Sequence, residues 1–410
     1  MPRRADASPG RTAGHRTGTP EFARLQRAML AAALAAFAMM YCTQPLLPAI
    51  GADLGGAPAT VSLTVSATTG VLALAILPLS SVADAIGRLR LMRIGLASAC
   101  LLVLASAAAP NLAALIAIRA LVGLALAAVV AVAMGHVGDE VHPNSLGSAM
   151  GFYVAGNSLG GVGGRLIAAA AGDGPGWRYG VLAVGLLATV ATLAFSFAVP
   201  EPVRFRPVPL RWSALRSGVL GHLADAGVVR LCLIAFLLMG GFVATYNYLA
   251  FRLLRAPFTL SQGVIGLVFL AYLAGTASSA LAGRLADRWG GRRTLLACTA
   301  VMAVGLLLTL PDQLVAIVAG LLVFTAGFFG AHAVASGWVS SRARAGRAQA
   351  SALYLLAYYA GSSVLGAVTG LAFAHWNWPG LVAVVASYLI GALGLARTIG
   401  PAGAADPASG

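Results

Sequence analysis

Lysine is absent from this chain: all 27 of its basic residues are arginines. No Walker A lysine, kinase lysine or lysine Schiff base can form, which argues against ATP-driven work by this chain alone. Charge is scarce too. Asp, Glu, Lys and Arg make up 10% of the residues, against about 25% in an ordinary soluble domain. The four cysteines, Cys42, Cys100, Cys232 and Cys298, each lie in an apolar run without metal-ligand spacing. They read as small packing residues rather than disulfides or ligands. No His-Glu-x-x-His or other metal cluster is present.

Apolar residues are plentiful: 59% of 410 positions, with a mean hydropathy of +0.87. A chain this apolar cannot cover itself with polar surface, so a soluble enzyme is excluded. A bilayer-spanning helix needs roughly 20 apolar residues, and twelve would take nearly the whole apolar content. Twelve helices are expected at 26–49, 60–80, 90–109, 112–135, 145–171, 179–199, 228–252, 260–282, 291–310, 313–338, 347–374 and 380–398. The fold class is therefore an all-α polytopic membrane protein made of two pseudo-symmetric six-helix bundles. Residues 1–24 read as a disordered tail, 25–199 as the first bundle and 200–227 as a proline-rich linker. Residues 228–398 read as the second bundle and 399–410 as a second tail. The first apolar run reads as a retained helix, because many more apolar runs follow it.

With both ends placed inside, the cytoplasmic segments hold 22 arginines and the external loops three, Arg178, Arg252 and Arg255. That asymmetry fixes the topology by the positive-inside rule. It also accounts for the net charge of +15 without nucleic acid. Trp177, Trp289, Trp338, Trp376 and Trp378 fall near the ends of the expected helices, where an aromatic belt is expected.

The chain repeats itself. The loop after helix 2 reads Ser80-Ser-Val-Ala-Asp84-Ala-Ile-Gly87-Arg88-Leu-Arg90, and the loop after helix 8 reads Gly283-Arg-Leu-Ala-Asp287-Arg288-Trp-Gly290-Gly-Arg292-Arg293. Asp84 and Asp287 stand 203 residues apart, and Gly87 and Gly290 keep the same offset. Two halves sharing one turn indicate a duplicated bundle. Glycine permits the tight reversal, and an aspartate among arginines can accept charge-assisted hydrogen bonds. The alternative is a plain topogenic loop with an incidental acid.

The stretch at 283–293 resembles the signature loop of the major facilitator superfamily. The copy at 80–90 departs from it at Ser80, Ala85 and Leu89. Tyr41-Cys-Thr-Gln44-Pro-Leu-Leu-Pro48 in helix 1 and Gly156-Asn157-Ser-Leu-Gly160-Gly in helix 5 resemble the efflux-type branch of YnfM-like bacterial inner-membrane transporters. The resemblance covers about 25–398. It implies a secondary transporter in the bacterial inner membrane, with both termini cytoplasmic. Such a protein works by alternating access, without a cofactor and with the proton gradient as its energy source. The two loops would be cytoplasmic gates, through Asp84, Gly87, Arg88, Gly283, Asp287, Arg288, Gly290 and Arg292. The expected partners are a small-molecule substrate and the bilayer, for a monomer.

Two arginines fall inside helices, Arg119 in helix 4 and Arg165 in helix 5. A charge within the bilayer costs about 3 kcal/mol or more, so each invites a functional reading. At the expected boundaries both lie about 10 Å below the external surface, and they repel unless something polar or anionic separates them. The alternative is snorkelling to the headgroups. Arg119-Ala-Leu-Val-Gly123 also resembles the superfamily's helix-4 motif, which implies coupling or substrate binding. None of the twelve acids falls in a helix centre, which leaves Asp53, His332 or the substrate itself to carry a proton.

A 203-residue offset maps Gln44 onto Asn247, Arg119 onto Leu322 and Arg165 onto Val368. The second half offers Tyr246, Tyr248, Tyr354, Tyr358 and Tyr359. Arg119, Arg165, Gln44, Tyr41, Asn157, Tyr246, Asn247, Tyr354 and Tyr358 are therefore the candidate substrate and coupling residues; ordinary helix packing is the other reading of the tyrosines. Helix 5 is dense in glycine (Gly147, Gly156, Gly160, Gly161, Gly163, Gly164), which lets another backbone approach closely. The spacing of Gly147, Gly156 and Gly160 resembles the superfamily's antiporter motif, although Gly161 and Arg165 depart from it. The expected function is proton-linked efflux of a small organic compound, drug or sugar-like. The alternative is a symporter or facilitator for an organic anion. Gly156-Asn-Ser158-Leu-Gly160 also matches a nucleophile-elbow pattern, and an intramembrane serine hydrolase pairing Ser158 with His332 is a remote third reading.

Overall fold

A computed structural model describes residues 14–202, 212–343 and 346–400. Fifteen α-helices form among them: α1 Pro20–Tyr41, α2 Leu47–Leu54, α3 Pro58–Ile86, α4 Arg88–Ser106, α5 Leu112–Val130, α6 Ala133–Glu140, α7 Leu146–Gly172, α8 Trp177–Ala198, α9 Trp212–Leu223, α10 Ala226–Leu253, α11 Gln262–Gly266, α12 Tyr272–Trp289, α13 Gly291–Leu308, α14 Leu314–Arg342 and α15 Arg347–Arg397. Ten helical stretches are long and apolar enough to cross a membrane. Two further facts recover the expected twelve. Glycine-rich α7 is long enough to cross as well, at 27 residues. And α15 is two helices joined at Asn377, whose backbone is non-helical (φ 52°, ψ −149°). Pro379 follows this kink and lacks the N–H that would bond the carbonyl four residues earlier.

Several boundaries differ from expectation. Helix 1 is not continuous over 26–49: it stops at Tyr41 and resumes at Leu47. Pro45 is the cause, because it has no N–H for the Tyr41 carbonyl, and Gln44 N–H bonds that carbonyl instead, at 3.0 Å. Pro48 then sits in the first turn of α2, where its missing N–H is harmless. Helix 4 is likewise two pieces, α5 and α6. Residues 14–24 are not a disordered tail. His15 exchanges backbone hydrogen bonds with Glu140 and His142 (2.8 and 2.9 Å), and Thr19 caps α1. The polar stretch after 200 contains a helix, α9. The tails at 1–13 and 401–410, and 203–211 of the expected linker, lie outside the described residues.

The first half packs α1 against α7 and α8, α3 against α5, and α4 against α5 and α8. The second packs α10 against α15, and α14 against α12 and α13. Gly156, Gly160 and Gly164, spaced four apart on α7, meet Leu30, Leu34 and Ala38, spaced four apart on α1. An added Cβ at Gly160 would stand 2.4 Å from the Leu34 carbonyl oxygen, so only a bare backbone fits. Gly147 and Gly163, expected to share this task, have nothing within 4 Å.

The two halves meet through α3 on α15, α7 on α11 and α10 on α2. Among the described residues, the hydrogen bonds between halves lie away from the arginine-rich loops. Tyr248 Oη donates to Ser62 Oγ (2.9 Å), Ser363 Oγ to the Ser66 carbonyl (2.7 Å) and Ser261 Oγ to Asp173 (3.1 Å). Gln262 Nε2 donates to the Pro45 carbonyl. One face is thus sealed, and at the arginine-rich face no hydrogen bond or ion pair among the described residues joins the halves.

Overpacking a tight contact costs about 1–3 kcal/mol. Gly160→Ala is expected to lower the Tm in detergent by several degrees, while Gly163→Ala leaves it unchanged. A thermal-shift comparison in which the two variants behave alike would refute the close-approach argument.

Candidate functional site

Arg165 lies between the two halves, one residue beyond the glycine stripe, and is 3% exposed. Its Nε donates to Gln44 Oε1 (2.7 Å) and its Nη1 to the Gly161 carbonyl (2.6 Å). The guanidinium also faces three rings, Tyr41, Tyr272 and Phe269, with centroids at 4.3, 4.9 and 5.1 Å. A desolvated cation over a ring gains about 2 kcal/mol, so the rings offset part of the burial penalty. Gln44 comes within reach because helix 1 is broken there. Gln44 Nε2 donates to Asn247 Oδ1 across the halves at 2.8 Å.

Beside Arg165 is a cavity of about 110 Å³. A cavity of about 150 Å³ holds benzene, so this space is a little short of one small ring as it stands. Phe37 and Tyr41 of α1 and Asn157, Ser158, Gly161 and Arg165 of α7 line it from the first half. Met239, Phe242 and Val243 of α10, Tyr272 of α12, Phe328 and Phe329 of α14, and Tyr358 and Tyr359 of α15 line it from the second. No carboxylate lines it. Asn157 Oδ1 is buried without a partner among the described residues.

The expected residues divide. Arg165, Tyr41, Asn157 and Tyr358 line the cavity, and Gln44 and Asn247 adjoin it through Arg165. Tyr246 lies behind the lining, its hydroxyl bonded to Thr325 Oγ1 at 2.6 Å and its ring stacked on Phe269. Tyr354 is bonded to His332 Nδ1 at 3.0 Å. That bond occupies the histidine, Ser158 has no histidine partner among the described residues, and the elbow pattern lies within continuous helix α7. No serine triad is assembled among the described residues.

Arg119 does not line the cavity. It is fully buried rather than snorkelling. Its donors go to the carbonyls of Thr64 (3.3 Å), Met39 (3.0 Å) and Met40 (2.5 Å) and to Cys42 Sγ (3.6 Å). The last carbonyls of a helix lack intrahelical donors and carry partial negative charge. Hydrogen bonds to a charged group gain about 1.5–3 kcal/mol each, so three carbonyls offset the several kcal/mol of burying the cation. Arg119 closes the broken end of α1. The offset of 203 does not carry through to its supposed counterparts: Leu322 and Val368 stand 42% and 51% exposed, on outward surfaces where the arginines face inward.

At the arginine-rich face, Asp84 and Asp287 stand in the last turns of α3 and α12 rather than in loops. Gly87 and Gly290 cap those helices with φ 101° and 83°, values that favour glycine. Arg88 bonds Asp84 at 3.1 Å and also pairs with Asp139, all within the first half. Asp287, Arg288, Gly283 and Arg292 are exposed, and Asp287 joins no ion pair among the described residues. Sequence reasoning missed Tyr272, Phe242, Phe269, Phe328 and Phe329. The Gly-Gly-Phe and Phe-Phe runs were visible, but not which face of each helix would turn inward.

The family model of the Major Facilitator Superfamily matches residues 29–256 and 231–408. The chain belongs to the Major Facilitator Superfamily. The transporter is 42% identical to the inner membrane transport protein YnfM of Escherichia coli (strain K12), over 92% of this chain and 90% of that one. It is 37% identical to the MFS-type transporter YybF of Bacillus subtilis (strain 168), over 93% and 94%. A mutant of the nucleoside transporter NupG superposes with a TM-score of 0.78 at 13% identity, over 92% of this chain and all of that one (100%). A bacterial homologue of the lysosomal transporter Spinster, in an inward-facing and unoccupied conformation, gives 0.71 at 16%, over 93% and 95%. The transporter is thus a multi-pass membrane protein of the major facilitator fold, and not an enzyme.

Asp53, one expected proton carrier, sits at the sealed face. The Trp177 indole N–H donates to it at 2.9 Å and Arg178 pairs with it. The indole hydrogen bond and then the arginine hold its carboxyl below the ordinary 3.8. A depressed carboxylate stabilises the fold above its unfolded pKa, and that contribution is lost as pH falls through its folded value. Asp53→Asn is therefore expected to lower the Tm at pH 7, with the deficit shrinking below pH 3.8. A deficit independent of pH in thermal scans would contradict this.

Proposed function

We propose that the transporter exports a small, ring-bearing organic anion in exchange for protons, by alternating access, as a monomer with its arginine-rich face in the cytoplasm. One observation carries the reading: a single buried cation, Arg165, stands in an aromatic cavity that no carboxylate lines. A cation in a low-dielectric site attracts an anionic group, and the rings favour an apolar body. The positive-inside bias supports the orientation. The glycine pattern on α7, similar to that of antiporters, supports export. The turns at Gly87 and Gly290 would bring the halves together at the cytoplasmic side when the transporter turns outward.

A second reading, symport or facilitated passage of the same anion, is favoured by the lack of a carboxylate in the cavity. The acid group of the substrate or His332 would then carry any proton.

Proteoliposomes holding a trapped pH dye separate these readings. Aromatic carboxylates are expected to drive proton flux and their neutral amides are not. Loss of a hydrogen bond to a charged group, about 1.5–3 kcal/mol, should reduce that flux roughly 10- to 100-fold in Arg165→Gln. The sign of the flux relative to substrate movement distinguishes antiport from symport, and labelled uptake without flux supports the facilitator. Equal transport of neutral amides by wild type and Arg165→Gln would overturn the anion reading.

A further inference from the structure

The offset of 203 residues, read first from the two matched turns at Gly87 and Gly290, also separates Gln44 from Asn247, and these two repeat-related amides bond each other across the halves. Arginine can only donate, so Arg165 compels Gln44 to turn its oxygen toward Nε. The Gln44 NH₂ is then the group left for Asn247, which must present its oxygen. The direction of the relay Arg165 → Gln44 → Asn247 is fixed by the arginine alone. At its far end Asn247 Nδ2 is buried and unpartnered, as is Ser66 Oγ, and both lie 3.9 Å from where a Cβ on Gly366 would stand. The relay therefore ends on a donor not used in this conformation.

From this geometry we infer that the Gln44–Asn247 pair is the ligand-sensitive latch among the hydrogen bonds that hold the sealed face shut, and that an anion on Arg165 releases it. The inference rests on the proposed anion site. A carboxylate is a stronger acceptor for Arg165 than the neutral amide oxygen of Gln44, because it adds a full negative charge, and a two-pronged fit, to a bond whose donor is already charged. An anion arriving from the arginine-rich side takes the guanidinium from Gln44 Oε1. The Gln44 amide is then no longer held in the orientation that points its NH₂ at Asn247. The one side-chain bond joining the two repeat-related amides weakens, and the sealed face can part. A ligand moves a conformational equilibrium only by binding one state better. Here the difference is structural: the sealed state needs Arg165 on Gln44, and the opened state leaves Arg165 free for the anion. Binding at one face thereby favours opening at the other, the direction export requires.

Pulsed dipolar spectroscopy tests the latch without a known substrate. Spin labels go on Pro175→Cys and Arg255→Cys, exposed positions of opposite halves at the sealed face, in a background with the four native cysteines replaced by alanine. In the absence of ligand, Gln44→Ala and Asn247→Ala are each expected to shift the distance distribution to longer values. Asn247→Leu keeps the volume and removes the amide, so it should do the same even if the alanine variant folds poorly. The reciprocal exchange of Gln44→Asn with Asn247→Gln conserves the amide pair and its summed length, and should restore the wild-type distribution. Wild-type distances in the single variants would overturn the latch. Benzoate and benzamide are the ligand probes: benzoate alone should lengthen the wild-type distances, and Arg165→Gln should not respond. Lengthening in the variants with no benzoate response in wild type would keep the latch, but overturn its release by an anion and the anion reading with it.

Discussion

The break in helix 1 is the constraint on which the rest of this structure depends. Pro45 cannot donate to Tyr41, and five residues, Cys42 to Leu46, leave the helix. Broken backbone inside a membrane protein must find partners within the protein, because lipid offers none. Arg119 supplies them to Met39 and Met40. The same break turns Gln44 inward between Arg165 and Asn247 and leaves the Pro45 carbonyl to accept from Gln262 of the other half. One proline thus creates both the need for a buried cation and the side chain that reports on a second one.

The two arginines look equivalent by chemistry and expected depth, yet their surroundings divide them. Arg119 is enclosed by backbone carbonyls of its own half and has no contact with the cavity. Arg165 is bonded by Gln44 and Gly161 and otherwise faces rings. A carbonyl cage fixed by helix geometry offers nothing to exchange for a ligand. A side-chain amide and ring faces are weaker partners that an anion can displace. The glycine stripe of α7 makes this possible, because it brings the backbone of Arg165 against α1 where helix 1 ends.

Much of the fold was legible in the sequence. Helix count, duplication and the two matched turns follow from apolar run length, from the offset of 203, and from glycines that prove to have positive φ at 87 and 290. The repeat relation of Gln44 to Asn247 was legible by the same offset, but not that the two amides bond each other. The division of labour between Arg119 and Arg165 was not. It depends on the break at Pro45, which an apolar run of this length hides, and on which face each helix turns inward. The exposed Leu322 and Val368 show the limit of a constant offset. One extra residue before a helix rotates every side chain on it by about 100°. The aromatic lining was missed for the same reason, since helices buried on several sides carry little periodicity.

Hydrogen–deuterium exchange across residues 40–46 tests the central claim most directly, comparing wild type with Arg119→Gln and Arg165→Gln. If Arg119 closes the broken helix, removing it should speed exchange there at least ~10-fold, about 1.4 kcal/mol of local stability, while Arg165→Gln stays near wild type. Protection that is lost with Arg165→Gln and kept with Arg119→Gln would reverse the roles assigned to the two arginines.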